Sequence, residues 1–510
     1  MLPKHKLLCF KLCIFYWPML GAIAATHYVS FTGTNNPPYT NWADAATNIQ
    51  WAVDVATNNE TVWVTNGTYT LTNQISITNG IILQGFNGRS NTFINGNYPN
   101  ITNRCFYIVG NGTNRPTLDG FTITNGYAQS NDFNGRGGGV YIATGNVYNC
   151  LLEGNTAARG TNVADWYSSG GGGMYIAGCT VLSCIVRGNL AGLEGGGILG
   201  GASANFISNC YIVTNIAVEG GGFFGDGTIV DSTFISNKVT SSGGGLAGVN
   251  AYISNCVITA NIVTNGAGGG VTLYYYSYVK NSVISNNMAM WNGGAGGGVY
   301  LYSAGSQLLL NSLIVNNSAA NYGGGVYFSS GGRVRQCLIK NNVINPRWGS
   351  GCNGAGVYLN NVQNNGGYCD SCTIVSNVTP HKGGGIAIEG TNNNYSVSNC
   401  VVWGNTAAVA GNDVYDVNGT NNSLTFSFTC ANYTNLPDGR GNITNNPQFV
   451  DFAGGNYRLN ANSPCVNAGS NEDWMVNSID LDGRIRIRYG TVDMGAYETI
   501  YDGTIYRMGF

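Results

Sequence analysis

The sequence predicts an all-β chain, a parallel β-helix, and two observations carry that expectation. Between residues 149 and 405 one phrase recurs ten times: a Cys or Ser, any residue, a large apolar residue, two variable residues, and an Asn five positions after the start. The Cys/Ser positions are 150, 184, 210, 232, 256, 282, 312, 337, 372 and 400, and the Asn positions are 155, 189, 215, 237, 261, 287, 317, 342, 377 and 405. A glycine cluster precedes each phrase, from Gly137-Gly138-Gly139 to Gly383-Gly384-Gly385, with Gly354-Ala355-Gly356 the one lapse. A period of 22 to 35 residues is that of a solenoid, whose units bury an apolar face only by stacking on one another.

Composition narrows the class. Charged residues are 9 %, Gly reaches 77 of 510, and 43 % of residues are hydrophobic, which argues for a packed core rather than a disordered Gly/Asn-rich chain. The net charge of −2 and the lack of a basic run point away from nucleic acid and membrane surfaces as partners.

Residues 1–25 read as an export signal: Lys4, Lys6 and Lys11 flank an apolar stretch to Met19, and Gly21-Ala22-Ile23-Ala24-Ala25 offers a cleavage site. Lys11 and Pro18 interrupt the stretch, which counts against an uncleaved membrane anchor, and no other segment is apolar enough to span a bilayer. The expected location is secreted, or at the cell surface in association with an outer membrane. Residues 26–120 are expected to form a cap and the first coils, because Trp42, Ala46, Ile49, Val53 and Ala56 fall at helical spacing and place an amphipathic helix over 42–57.

Residues 121–412 hold the repeats. After each glycine cluster comes a short strand such as Val140-Tyr141-Ile142 or Val357-Tyr358-Leu359, whose first and third side chains point inward and whose second points outward. In the next strand the Cys/Ser and the apolar residue two later (Leu152, Ile212, Phe234, Ile258, Ile339) point inward by the same rule. Each Asn ends its strand at a turn, where stacked Asn side chains hydrogen-bond from coil to coil. Two or three short strands per coil are expected.

Seven cysteines share the repeat position with Ser232, Ser282 and Ser312, so the position asks for a small inward side chain, and Cys369-Asp370-Ser371-Cys372 needs no redox role. Cys352 and Cys369 fall in expected loops, with pairing left open. Residues 413–440 form a last coil or linker, 441–498 a small β module of different character, and 499–510 a tail.

The strand ending Phe234-Ile235-Ser236-Asn237 resembles the short motifs of polymorphic outer-membrane and adhesin-type repeats. More specifically, NPQFVDFAGGNYRLNANSPCVNAG followed by DLDGRIRIRYGTVDMGAYE resembles the module closing many exported right-handed β-helix proteins of the choice-of-anchor type, and THYVSFTGTNNPPYTNWADAATNIQWAVDVA is similar to their start. The resemblance implies a right-handed helix of the pectin-lyase-like superfamily. That superfamily holds lyases, hydrolases, adhesins and phage spikes, so it leaves function open.

Three features bear on function. The outward column contains Tyr141, Tyr175, Phe224, Tyr300, Tyr327 and Tyr358, a natural platform for sugar rings, although stacked aromatics also simply suit strands. Long insertions after the Asn turn carry Trp166, Trp291 and Trp348 and are expected on one side. Glu194 and Glu219 each precede a glycine cluster one coil apart; such a pair shares a proton, binds a cation such as Ca²⁺, or acts as acid and base. The plainer reading, favoured by Ser242 and Ala267 in the same column, is that both fan into solvent. His381 with Lys382 lies near Glu389 as a base without an identified partner, and no cofactor is called for. The expectation is a β-helix that binds extracellular polymer, foremost polysaccharide, as an adhesin or surface component. The alternatives are a polysaccharide lyase or glycosidase and a purely structural surface protein.

Overall fold

The computed structural model describes residues 24–500 apart from 131–134, 160–168, 203, 292, 303–305, 347–350, 361–365, 390–394 and 417–424. Residues 1–23 of the expected export segment and residues 501–510 of the tail therefore lie outside the described residues.

The chain is a right-handed parallel β-helix with four strands per full coil, more than the two or three the pattern suggested. In one coil they are Val271–Tyr274, Tyr278–Lys280, Val283–Ser285 and Met288–Ala289. Stacking gives sheet I after the glycines with 13 strands, sheet II with 15, sheet III after each Cys/Ser with 14, and sheet IV after each Asn with 11. The pairings within these sheets are parallel and in register, as in Tyr300↔Tyr327↔Tyr358, apart from a register shift in sheet IV between Ala217 and Glu219.

The five-residue spacing now has a cause. The residue before each Cys/Ser is left-handed (Asn149, Asn255 and Asn281 at φ 51, 54 and 51), and so is the one before many of the Asn positions (Ser236 φ 54, Asn286 φ 55). Two corners thus bracket a three-residue strand, and the Asn, Asp and Ser at these corners are the residue types that tolerate this conformation. At the cluster, Gly220 has φ 58 and a Cβ on Gly221 would meet the Gly244 carbonyl oxygen at 2.5 Å, so the chain needs both the left-handed turn and the bare backbone.

Inward residues form one continuous core from Val29 to Ala431. The asparagines form the expected ladder. Asn237 Nδ2 donates to the Ile212 carbonyl and to Asn261 Oδ1, both at 3.0 Å, while Asn261 Oδ1 also accepts the Asn237 backbone N–H at 2.9 Å. The series runs from Asn155 to Asn405, where Asp413 Oδ1 takes the place of the next amide at 2.9 and 3.0 Å. The ladder cysteines are buried and free, and burial pushes the Cys150 and Cys256 thiols up to about 12. Cys369 belongs to the sheet II strand Gly367–Asp370 rather than to a loop, and Cys352, in its expected loop, is buried against Ala319, Ile344 and Ala355; the two form no disulfide.

The cap is a shorter helix than expected, Ile49–Val55 rather than 42–57. Asn48 Oδ1 accepts the Gln50 N–H at 2.8 Å and starts it, while the Ala46 backbone is consumed by Tyr28 and Ser30 at 2.9 Å each, which keeps 42–48 out of the helix as a series of bends. The segment Thr61–Val64, Gly67–Thr70 and Ile82–Gly85 enters the sheets as regular strands. Beyond Cys430 the chain doubles back: the hairpin Phe449–Asp451/Asn456–Leu459 and the loops after it cover the outer face of sheet III at Leu338, Val375 and Val401. Val257, in the same column earlier in the helix, stays 40 % exposed. Among the described residues no helix is long and apolar enough to cross a membrane.

Candidate functional site

The residue before each glycine cluster forms a narrow fifth ladder of single bridges, Gly170↔Glu194↔Glu219, then Ser242, Ala267, Ala295, Tyr322, Asn353, Lys382 and Ala410. It runs beside the outward column of sheet I. On the far side of that column lie the fourth residues of the sheet I strands, among them Val249, Tyr274 and Glu389.

Between these rows the floor of aromatic rings is broken, because Ala247 and Thr272 follow Phe224 in the column. The gap is a recess of about 480 Å³ lined by Leu193, Glu194, Val218, Glu219, Phe224, Val249, Tyr274 and Tyr275. Glu194 and Glu219 do not fan into solvent; both are half-buried in its wall. Their environments differ. Burial and then the neighbouring Glu219 charge push Glu194 up to about 7, against the pull of Arg136. Glu219 is also raised by burial, but it is held by Ser241 Oγ at 3.1 Å and Tyr274 Oη at 3.5 Å. One carboxyl is thus kept as an acid near neutrality and the other is a hydrogen-bonded acceptor, a division suited to proton donation and charge stabilisation. Among the described residues no group of three or more metal-ligating side chains converges.

The aromatic column stacks as strands dictate, with Tyr141 4.9 Å from Tyr175, and Tyr327 5.2 and 5.3 Å from Tyr300 and Tyr358. It is not the open platform the alternation pattern suggested. Tyr327 and Tyr358 are 8 and 3 % exposed, because the neighbouring ladder residues, Tyr322 and Ala295 among them, pack over the rings as a second apolar cluster outside the coil, and Tyr175, 8 % exposed, lies beneath the Arg136 guanidinium and against Tyr141. Phe224, Tyr141 and Tyr300 remain half-buried. Replacing Tyr327 with Ala is therefore expected to lower the unfolding free energy by about 2 kcal/mol in denaturant titrations while changing polymer affinity less than about twofold. A large affinity loss in a stable variant would restore the platform.

Trp291 is 52 % exposed, whereas Trp166 and Trp348 lie outside the described residues. All three insertions leave from sheet IV strands, Thr156–Arg159, Met288–Ala289 and Val343–Ile344, hence from the side next to the ladder. Glu153 and Arg187, opposite each other on adjacent sheet III strands, form a surface pair 2.8 Å apart and too exposed to matter energetically. Sequence reasoning missed Tyr274, Tyr275, Ser241 and Arg136 at the recess. The run Tyr274-Tyr275-Tyr276 was a visible signal, and Arg136 precedes a glycine cluster as the two glutamates do.

Residues 165–317 match the family model of the right handed beta helix region. No curated protein sequence matches the chain. Among solved structures, the chain is similar to the crystal structure of pectate lyase Pel9A at 14 % identity and TM-score 0.30, over 94 % of this chain and 98 % of that one. It is also similar to the catalytic domain of a GH87 α-1,3-glucanase variant in complex with tetrasaccharides, at 15 % identity and TM-score 0.36, over 75 % of this chain and 66 % of that one. A third is XylC with xylose, at 9 % identity and TM-score 0.31, over 83 % and 87 %. At these values the likeness carries nothing about the site.

Proposed function

We propose that this chain is an exported polysaccharide-binding protein, and that one sugar unit of the polymer sits in the recess at Glu194 and Glu219. The recess carries the reading: it has the volume of a small-molecule site, aromatic walls from Phe224, Tyr274 and Tyr275, and carboxyls that accept hydrogen bonds from hydroxyls. The lysine-flanked apolar segment of residues 1–25 supports export. The test is binding of residues 26–510 to neutral, acidic and sulfated polysaccharides. Tyr275 stands at the recess mouth, 55 % exposed. Its replacement by Ala is expected to weaken binding about 10-fold, or about 1.4 kcal/mol. An unchanged affinity would remove the recess from the binding surface.

A second reading, cleavage of the same polymer, is favoured by the raised Glu194 carboxyl. With Glu194 as general acid, turnover requires its protonated form and falls as the pH rises through about 7. Because the folded carboxyl is raised, its contribution to stability is also fully present below the ordinary carboxylate range and is lost through the same window. Assays of new reducing ends and of ultraviolet absorbance from unsaturated sugar separate hydrolase from lyase. Glu194→Gln is expected to cut any turnover about 100-fold with binding retained; full turnover would withdraw the assignment.

A further inference from the structure

Six ladder steps beyond Glu219 the same rows carry different side chains, with Glu389 in the coil of Lys382 itself, whereas Tyr274 lies two coils after Glu219. His381 and Lys382 occupy the two positions before a glycine cluster that Val218 and Glu219 hold at the recess, and Glu389 holds the fourth-residue position of Tyr274. Ala387 breaks the ring column between Tyr358 and Tyr415, as Ala247 does after Phe224. The polar atoms here form a directed chain. Tyr358 Oη donates to Glu389 Oε2 at 2.7 Å, and Asn353 Nδ2 donates to Glu389 Oε1. A carboxylate can only accept, so the Asn353 amide is oriented with Oδ1 away from Glu389. His381 Nδ1 lies 2.8 Å from that Oδ1 and must therefore be the donor, which leaves the lone pair of the neutral imidazole on Nε2. Lys382 Nζ gives one of its three protons to Tyr415 Oη at 2.8 Å and keeps two. Neighbouring side chains thus offer one acceptor and spare donors, the complement of adjacent sugar hydroxyls.

We infer that His381 and Lys382 form a second sugar-contacting station, with Nε2 accepting from one hydroxyl and Nζ donating to another on a neutral polymer laid along the helix axis. This rests on the polysaccharide reading of the recess and adds to it the direction and reach of the ligand. Six coil spacings of about 4.8 Å separate Glu219 from Lys382 by about 29 Å, so one chain several sugars long touches both stations and a disaccharide touches one. Asn353, Glu389 and Tyr358 act as positioning residues, because they reach the ligand only through the imidazole.

Two measurements test this on residues 26–510. Nitrogen NMR of the histidine rings, where only His27 competes for assignment, is expected to show the Nδ1–H tautomer for His381 and its loss in Asn353→Ala. An Nε2–H tautomer in the wild type overturns the proposal. The second measurement is affinity for di- to decasaccharides of β-1,3-glucan, β-1,4-glucan and xylan. Wild-type affinity is expected to rise at least about 10-fold with length, and His381→Ala to flatten that rise while disaccharide binding at the recess is unchanged. A length dependence that survives in His381→Ala overturns the second station alone. Absence of binding to every series by the wild type counts against the recess as well, and takes this proposal with it.

Discussion

Arg486→Met is expected to destabilise the C-terminal module by about 3–5 kcal/mol, the largest single effect the structure predicts. The Arg486 side chain is wholly buried; it lies 3.2 Å from Glu498 and donates to the carbonyls of Gly495 at 2.9 Å and Asp493 at 3.3 Å. Without it, two carbonyls lose this donor and the buried carboxyl keeps only the Asp493 backbone N–H. The loss should depend on pH in a defined direction. Burial foremost, with Asp493 and Asp480, raises Glu498 to about 8 against the opposing pull of Arg486, so the folded module favours the protonated acid. The contribution of Glu498 to stability is present below its ordinary range near 4.5 and is lost as the pH climbs through about 8. Arg486→Met removes the strongest influence that lowers this carboxyl and leaves only the Asp493 backbone N–H, so the penalty should be smallest in mild acid. Hydrogen exchange across 441–498 reads the effect, with the coils as internal control. A module that stays within about 1 kcal/mol of the wild type at every pH would show that the guanidinium is replaceable.

Asn261→Ala is expected to cost about 3 kcal/mol, although it removes only a small side chain. Asn261 Oδ1 accepts the Asn237 backbone N–H and amide, and its Nδ2 donates to the Phe234 carbonyl and to Asn287 Oδ1, at distances from 2.9 to 3.0 Å. All of these groups are buried, so the variant strands donors and acceptors on the coils before and after its own with no water to replace them. Equilibrium denaturation measures the loss. A cost below about 1 kcal/mol would mean that the ladder is a consequence of stacking and not a support for it.

Much of the fold was legible because a solenoid repeats its constraints. Ten copies of the Cys/Ser-to-Asn spacing gave the strand, the turn and the inward residues of sheet III, and the structure agrees position by position. Sheets II and IV were harder to read, since strands such as Thr228–Val230 and Leu190–Ala191 are too short to show alternation. The corner residues before each Cys/Ser, Asn, Asp and Ser in most coils, were a further readable signal, one that spacing alone does not bring out. The candidate site was legible only as a column. Glu194 and Glu219 could be stacked on paper, but what encloses them comes from the small floor residues Ala247 and Thr272 and from Tyr274, two coils after Glu219. The tyrosine column shows the converse: alternation correctly pointed the rings away from the core and could not reveal that ladder residues pack over them.

The stacking of whole coils also gives the molecule a built-in scale. Each coil meets only the coil before and the coil after, so the gap between two surface features is an integer count of repeats, incremented by about 4.8 Å. Loss or duplication of one complete repeat between Glu219 and Lys382 would leave both ends intact and shift their separation by a single step. A lineage of such chains can therefore retune its reach along a periodic ligand by unequal recombination of repeats, in jumps rather than gradually, without altering a single contacting residue.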